Sequence, residues 1–113
     1  MKALEQNPQA VNVELLKRCK AAINEILPDA EVILYGSRAR GDARPDSDYD
    51  LLVLTDQPAD IDLEEKIRAA IFNFQLDYDV LLSVFAYNRS QWNSPLYRAM
   101  PFHKNIDSEG AMI

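Results

Sequence analysis

EVILYGSRARGDARPDSDYDLLVLT, residues 31–55, decides the fold. Glu31 to Tyr35 is a short run rich in β-formers that stops at Gly36, which predicts a strand. Tyr49 to Thr55 is a second such run. Leu51 to Leu54 carries no polar residue, which predicts burial on both faces of a sheet. Between the two lies Gly36-Ser37-Arg38-Ala39-Arg40-Gly41. Ser37 is read as the N-cap of a one- or two-turn helix and Gly41 as its terminator. Asp42 to Ser47, with Pro45, reads as a polar loop.

Working outward, Val11 to Leu27 has apolar residues at helical spacing, and Pro28 and Asp29 end it. Cys19 lies on that apolar face and is read as a small core residue. Ile61 to Phe74 is a further amphipathic helix with acids in its first turn. Asp77 to Ala86 reads as a third strand. A polar turn or helix follows from Asn88 around Trp92, and Ser94-Pro95 starts a short helix through about Lys104. Residues 1–9 read as a loose arm, and 110–113 are too few to assign. The order predicts a small α/β (α+β) domain, a mixed sheet flanked by helices, as a single domain over residues 1–113.

Composition bounds the function. The 113 residues carry 12 basic and 18 acidic side chains, a net charge of −6. A general nucleic-acid binder needs a basic surface, so stable direct nucleic-acid binding is not expected. No apolar run approaches the roughly 20 residues of a membrane span. One cysteine cannot make an internal disulfide, and residues 1–9 lack the apolar stretch of a signal peptide; both favour the cytoplasm. The charge is uneven. From Asp42 to Glu65 there are nine carboxylates against Arg44 alone, with Arg38 and Arg40 at the edge. Acids beside a basic spot fit a metal-plus-phosphate site as well as a solvated loop.

Three features converge on one sheet edge. Gly36-Ser37, between a strand end and a helix start, offers backbone N–H groups to a phosphate. Asp48 and Asp50, two apart at a strand start, point to one face, where a cation such as Mg²⁺ would neutralise them. Asp77 and Asp79 are also two apart, and one of them would complete a carboxylate triad able to hold two metals, or one metal and a base. Asp79, directly before Val80-Leu81-Leu82, is preferred. Rival motifs fail. A calcium loop beginning at Asp46 would need glycine and glutamate where Leu51 and Gln57 stand. No Walker loop, zinc cluster or Ser-His-Asp triad is present, and His103 reads as solvated.

Gly36-Ser37-Arg38-Ala39-Arg40-Gly41 followed after a short gap by Ser47-Asp48-Tyr49-Asp50-Leu51 resembles the signature of the polymerase-beta nucleotidyltransferase superfamily. It is closest to its small stand-alone minimal nucleotidyltransferase domains. The resemblance covers residues 10–113. It implies transfer of a nucleoside monophosphate from a triphosphate such as ATP, with release of pyrophosphate. It places the triphosphate on Gly36, Ser37, Arg38, Arg40 and Ser47, and two Mg²⁺ ions on Asp48, Asp50 and Asp79. The stand-alone domains resemble antitoxins whose partner is a helical HEPN ribonuclease toxin, so a hetero-oligomer is implied and a homodimer stays open. Two other readings stand beside this one: a non-catalytic module that neutralises a partner by contact, and a small-molecule nucleotidyltransferase of the antibiotic-modifying kind.

Overall fold

The computed structural model describes residues 1–3 and 11–113. The elements run β1 (Lys2–Ala3), α1 (Val13–Ile26), β2 (Glu31–Tyr35), α2 (Ser37–Arg40), β3 (Tyr49–Thr55), α3 (Ile61–Tyr78), β4 (Leu82–Asn88), α4 (Arg89–Trp92), α5 (Pro95–Arg98), α6 (Pro101–Glu109) and β5 (Ala111–Met112). The sheet order is β1-β5-β2-β3-β4. β2 is antiparallel to β3, and β4 is parallel to β3, so the sheet is mixed as expected. Of the arm expected over residues 1–9, Lys2–Ala3 pairs with Ala111–Met112; the rest lies outside the described residues.

Directly paired residues share a face. Leu34, Leu51 and Val84 form one row, and Val32, Val53 and Ala86 the next. α1 and α3 cover this face with Leu15, Leu16, Cys19, Ile23, Ile67 and Ile71. Cys19 is fully buried, and burial pushes its thiol up to about 12, so it is core and not a nucleophile. The opposite face carries Ile33, Leu52 and Leu54 under Trp92 and Ile106. The continuous apolar run Leu51–Leu54 therefore reports a strand between two layers, and β3 has the limits expected.

Three elements depart from expectation. α3 runs to Tyr78, four residues beyond Phe74. Ile67, Ile71, Phe74 and Tyr78 continue a helical apolar stripe against the main core. β4 accordingly begins at Leu82, not Asp77. The segment after Ser94 is two helices, because Pro101 starts a new one at its first position. His103 is not solvated. It is 5% exposed and stacks on Trp92 with ring centroids 4.3 Å apart.

Two devices hold the frame. β4 is an edge strand whose outward groups are taken by α3. Gln75 Oε1 accepts from Leu82 N–H, Glu64 Oε2 accepts from Ala86 N–H, and Arg68 donates to the Val84 carbonyl. An edge satisfied this way resists pairing with another chain. At the far end of the sheet Arg89 donates to Glu31, Asp56 and the Asp29 carbonyl, tying α4 to β2 and β3. Among the described residues no helix is long and apolar enough to cross a membrane.

A paired-carboxylate site at the mouth of the sheet

Gly36 ends β2 and caps α2 with φ 76° and ψ −158°. That region is open only to glycine. The cap is Gly36 and not Ser37, which is the first helical residue; Gly41 closes the turn in the left-handed region at φ 86°, as expected. A Cβ at Gly36 would overlap Asp50 Oδ2 and lie 3.3 Å from Asp50 Cγ. Glycine is thus required twice, by its dihedrals and by the carboxylate laid against it.

The register assembles the rest. Tyr35 pairs with Asp50, and Asp50 pairs with Ser83, so the three form one row. The next row inward is Ile33, Leu52 and Phe85. Phe102 of α6 meets both Tyr35 and Phe85 edge-on, at centroid distances of 5.4 and 6.3 Å. This aromatic wall removes water from one side of Asp50. Burial pushes the Asp50 carboxyl above the ordinary range; nearby Asp48 adds to the rise, Arg40 opposes it and Glu109 adds to it again. Burial and the Asp50 charge likewise push the Tyr35 hydroxyl up to about 12.

Asp48 is exposed and directly precedes β3. Its loop is held by Arg38, which is buried. The Arg38 guanidinium donates to the Ser47 carbonyl at 2.8 Å and the Pro45 carbonyl at 3.3 Å, and lies 4.4 Å over the Tyr49 ring. Arg38 therefore positions the loop. Ser47 Oγ accepts from Arg44 N–H at 2.8 Å and shapes the same loop. Arg40 is exposed at the site's rim and pairs with Asp42 and Glu109.

The triad is not brought together as expected. Asp77 lies within α3, and Asp79 caps its C-terminus at φ 52°, ψ 52°, ahead of β4. Ser83 occupies the β4 position beside Asp50. Among the described residues no three His, Cys, Asp or Glu side chains converge on a metal-sized point. The site supplies two carboxylates. That suits Mg²⁺, which is commonly held by one or two carboxylates together with substrate phosphates and water. Burial first, and Asp48 after it, raise the Asp50 carboxyl, and a cation there would offset both. Glu109 is the residue that sequence reading missed. Its closeness to Asp50 depends on α6 returning to the sheet, and no spacing encodes that.

Asp79 is the only non-glycine residue with positive φ among those described. Asp79→Gly is expected to stabilise the fold by about 1 kcal/mol, since glycine adopts that conformation without a Cβ clash. It should leave nucleotide affinity unchanged, whereas membership of a metal triad would make that affinity fall. Urea titration and calorimetry read the two quantities.

A strand–glycine–helix turn packed against paired aspartates on a mixed sheet is an arrangement of the nucleotidyltransferase class. A family model described as nucleotidyltransferase domain matches residues 16–109, and the chain belongs to that family. The chain is 36% identical over 80 residues to a Methanocaldococcus jannaschii protein named "Putative protein adenylyltransferase", covering 69% of this chain and 81% of that one. It is 29% identical over 70 residues to the "Probable protein adenylyltransferase MntA" of Haemophilus influenzae, covering 62% and 61%. Among solved structures, "Crystal structure of the toxin-antitoxin with AMP-PNP" superposes with TM-score 0.61 over 90% of this chain and 72% of that one. At 14% identity that likeness concerns the fold.

Proposed function

We propose that the chain is an Mg²⁺-dependent protein adenylyltransferase that moves AMP from ATP to a hydroxyl of a helical HEPN ribonuclease toxin, acting as its antitoxin in the cytoplasm. The observation that carries this reading is the half-buried Asp50 carboxylate lying against Gly36 with Asp48 beside it. The names of the relatives support a protein acceptor, and the toxin–antitoxin neighbour supports a toxin partner.

In the reaction the acceptor oxygen bonds to the α-phosphorus as the bond to pyrophosphate breaks, and the acceptor proton is released. Asp48 and Asp50 would hold Mg²⁺, which when bound neutralises phosphate oxygens and so lowers the barrier to attack. The turn at Gly36-Ser37 brings backbone close to the triphosphate without a side chain between them. Arg40 supplies positive charge at the rim, with Asp42 and Glu109 holding its guanidinium. Arg38 keeps Ser47, and through it Asp48, in place.

The contact-only reading keeps one observation in its favour, the serine at position 83 where a third carboxylate would face Asp50. One experiment separates the two. The partner is isolated from the native host on the tagged chain, then incubated with Mg²⁺, each of the four nucleoside triphosphates and either wild type or Asp48→Asn. An AMP-sized mass gain with wild type and ATP only is the expected result. A stable complex with no gain under any nucleotide would establish the contact-only module.

A further inference from the structure

On the α3 side of the 45–47 loop, which leads into Asp48, lies a groove of about 610 Å³. Three large apolar side chains meet there. Phe72 and Leu76 are one helical turn apart on α3, and Leu81 follows the turn after it. They are 53%, 69% and 63% exposed. Water-facing apolar groups of this size gathered in one place mark an interaction surface rather than scattered exposure. The groove's polar lining includes Asp46 and Asp79 and no lysine or arginine. Neither of those carboxylates forms an ion pair within the described residues. Asp79 moreover stands at a left-handed position where glycine would be less strained, so its carboxylate is kept at a conformational cost. Ser47 also lines the groove, and Ser47 directly precedes Asp48.

Apolar surface rimmed by unpaired acids selects its ligand by charge. We propose that this groove is where the acceptor protein docks. Its docking segment presents a large apolar side chain to Phe72, Leu76 and Leu81, and a nearby lysine or arginine to Asp46 and Asp79. The position of Ser47 then sets the bound segment against the loop that carries Asp48. Docking energy comes from the apolar contact, and the acids discriminate against acidic segments. The inference rests on the transferase reading for the word acceptor, but the groove and its charge stand apart from nucleotide binding.

The test is selection of a random twelve-residue peptide display library on immobilised wild-type protein. Two variants follow: Leu76→Lys, which removes the apolar contact, and Asp46→Asn with Asp79→Asn, which removes the charge. The expected peptides combine a large apolar residue with lysine or arginine. They lose at least tenfold in affinity on either variant and weaken with salt. No enrichment, or peptides indifferent to both variants, would overturn the docking site. So would a wild-type dimer in sedimentation that Leu76→Lys dissolves, because the groove would then belong to a second copy. Circular dichroism checks that the variants fold. ATP binding with Mg²⁺ is measured on the same samples. Intact nucleotide binding with a failed selection rejects the groove alone, whereas absent nucleotide binding by wild type rejects the transferase reading.

Discussion

Asp50→Asn is expected to lower AMP transfer at least 100-fold and, in the same protein, to raise the melting temperature measured without metal. The two effects share a cause. Asp50 is half-buried against Gly36 and the aromatic wall, and it faces Asp48. Burial and like charge push its carboxyl above the ordinary range, so the folded state binds a proton more tightly than the unfolded state. For such a group stability is greatest below the unfolded carboxylate value. It declines as pH rises from there through the raised folded value, and the full penalty is present at pH 7. Asparagine keeps the shape and removes the charge. The variant should therefore melt at a higher temperature than wild type at pH 7. The gain should shrink as pH falls into the carboxylate range. Activity goes the other way, because losing a metal-binding carboxylate removes about 3 kcal/mol or more of charge stabilisation from the transition state. Adding Mg²⁺ with ATP should reverse the order of stability, raising wild type and leaving the variant unmoved. Scanning calorimetry at pH 4, 5.5 and 7, with and without Mg²⁺ and ATP, reads every part. A variant less stable than wild type at pH 7 would reject the electrostatic account of the site.

The parts of this domain that sequence reading recovered are those encoded by one local signal. Leu51–Leu54 is apolar on consecutive positions, and only a strand between two layers uses such a run. Gly36 and Gly41 bracket four residues, and both adopt positive φ. Asp48 and Asp50 keep their spacing because a strand begins between them. What was misread had two local signals in competition. Leu76-Asp77-Tyr78-Asp79-Val80 alternates like a strand, yet Phe74 and Tyr78 also extend the helical stripe of α3. Packing of that stripe on the main core decides in favour of helix, and Asp79 becomes its cap. Asp79 therefore stands at a helix end and not on the strand beside Asp50, where Ser83 is. A cation near a phosphate turn looks like a phosphate ligand, and only the folded loop shows that Arg38 donates to the Ser47 and Pro45 carbonyls. His103 was misread because its neighbours in sequence are polar, while the stack on Trp92 is a tertiary fact. Glu109 gave no signal of its own.

Gly36→Ala is expected to cost roughly 2–6 kcal/mol, enough to leave a domain of this size partly unfolded. Two contributions add. Holding a non-glycine residue at φ 76° and ψ −158° costs about 1–3 kcal/mol. Forcing a methyl into the space of the Asp50 carboxylate costs about 1–3 kcal/mol more, since Asp50 Cγ stands only 3.3 Å away and turning the carboxylate alone does not clear the space. A double-mutant cycle separates them. In Asp50→Ala the carboxylate is gone, and the added methyl at position 36 meets only the dihedral penalty. Gly36→Ala should therefore cost less in the Asp50→Ala background than in wild type, by the 1–3 kcal/mol assigned to the overlap. Equal costs in both backgrounds would mean the backbone conformation alone requires glycine. The strand end would then be shaped without regard to the carboxylate. The coupled result ties the glycine of the turn to the aspartate of the site as one structural unit. Urea denaturation of the four proteins gives the cycle.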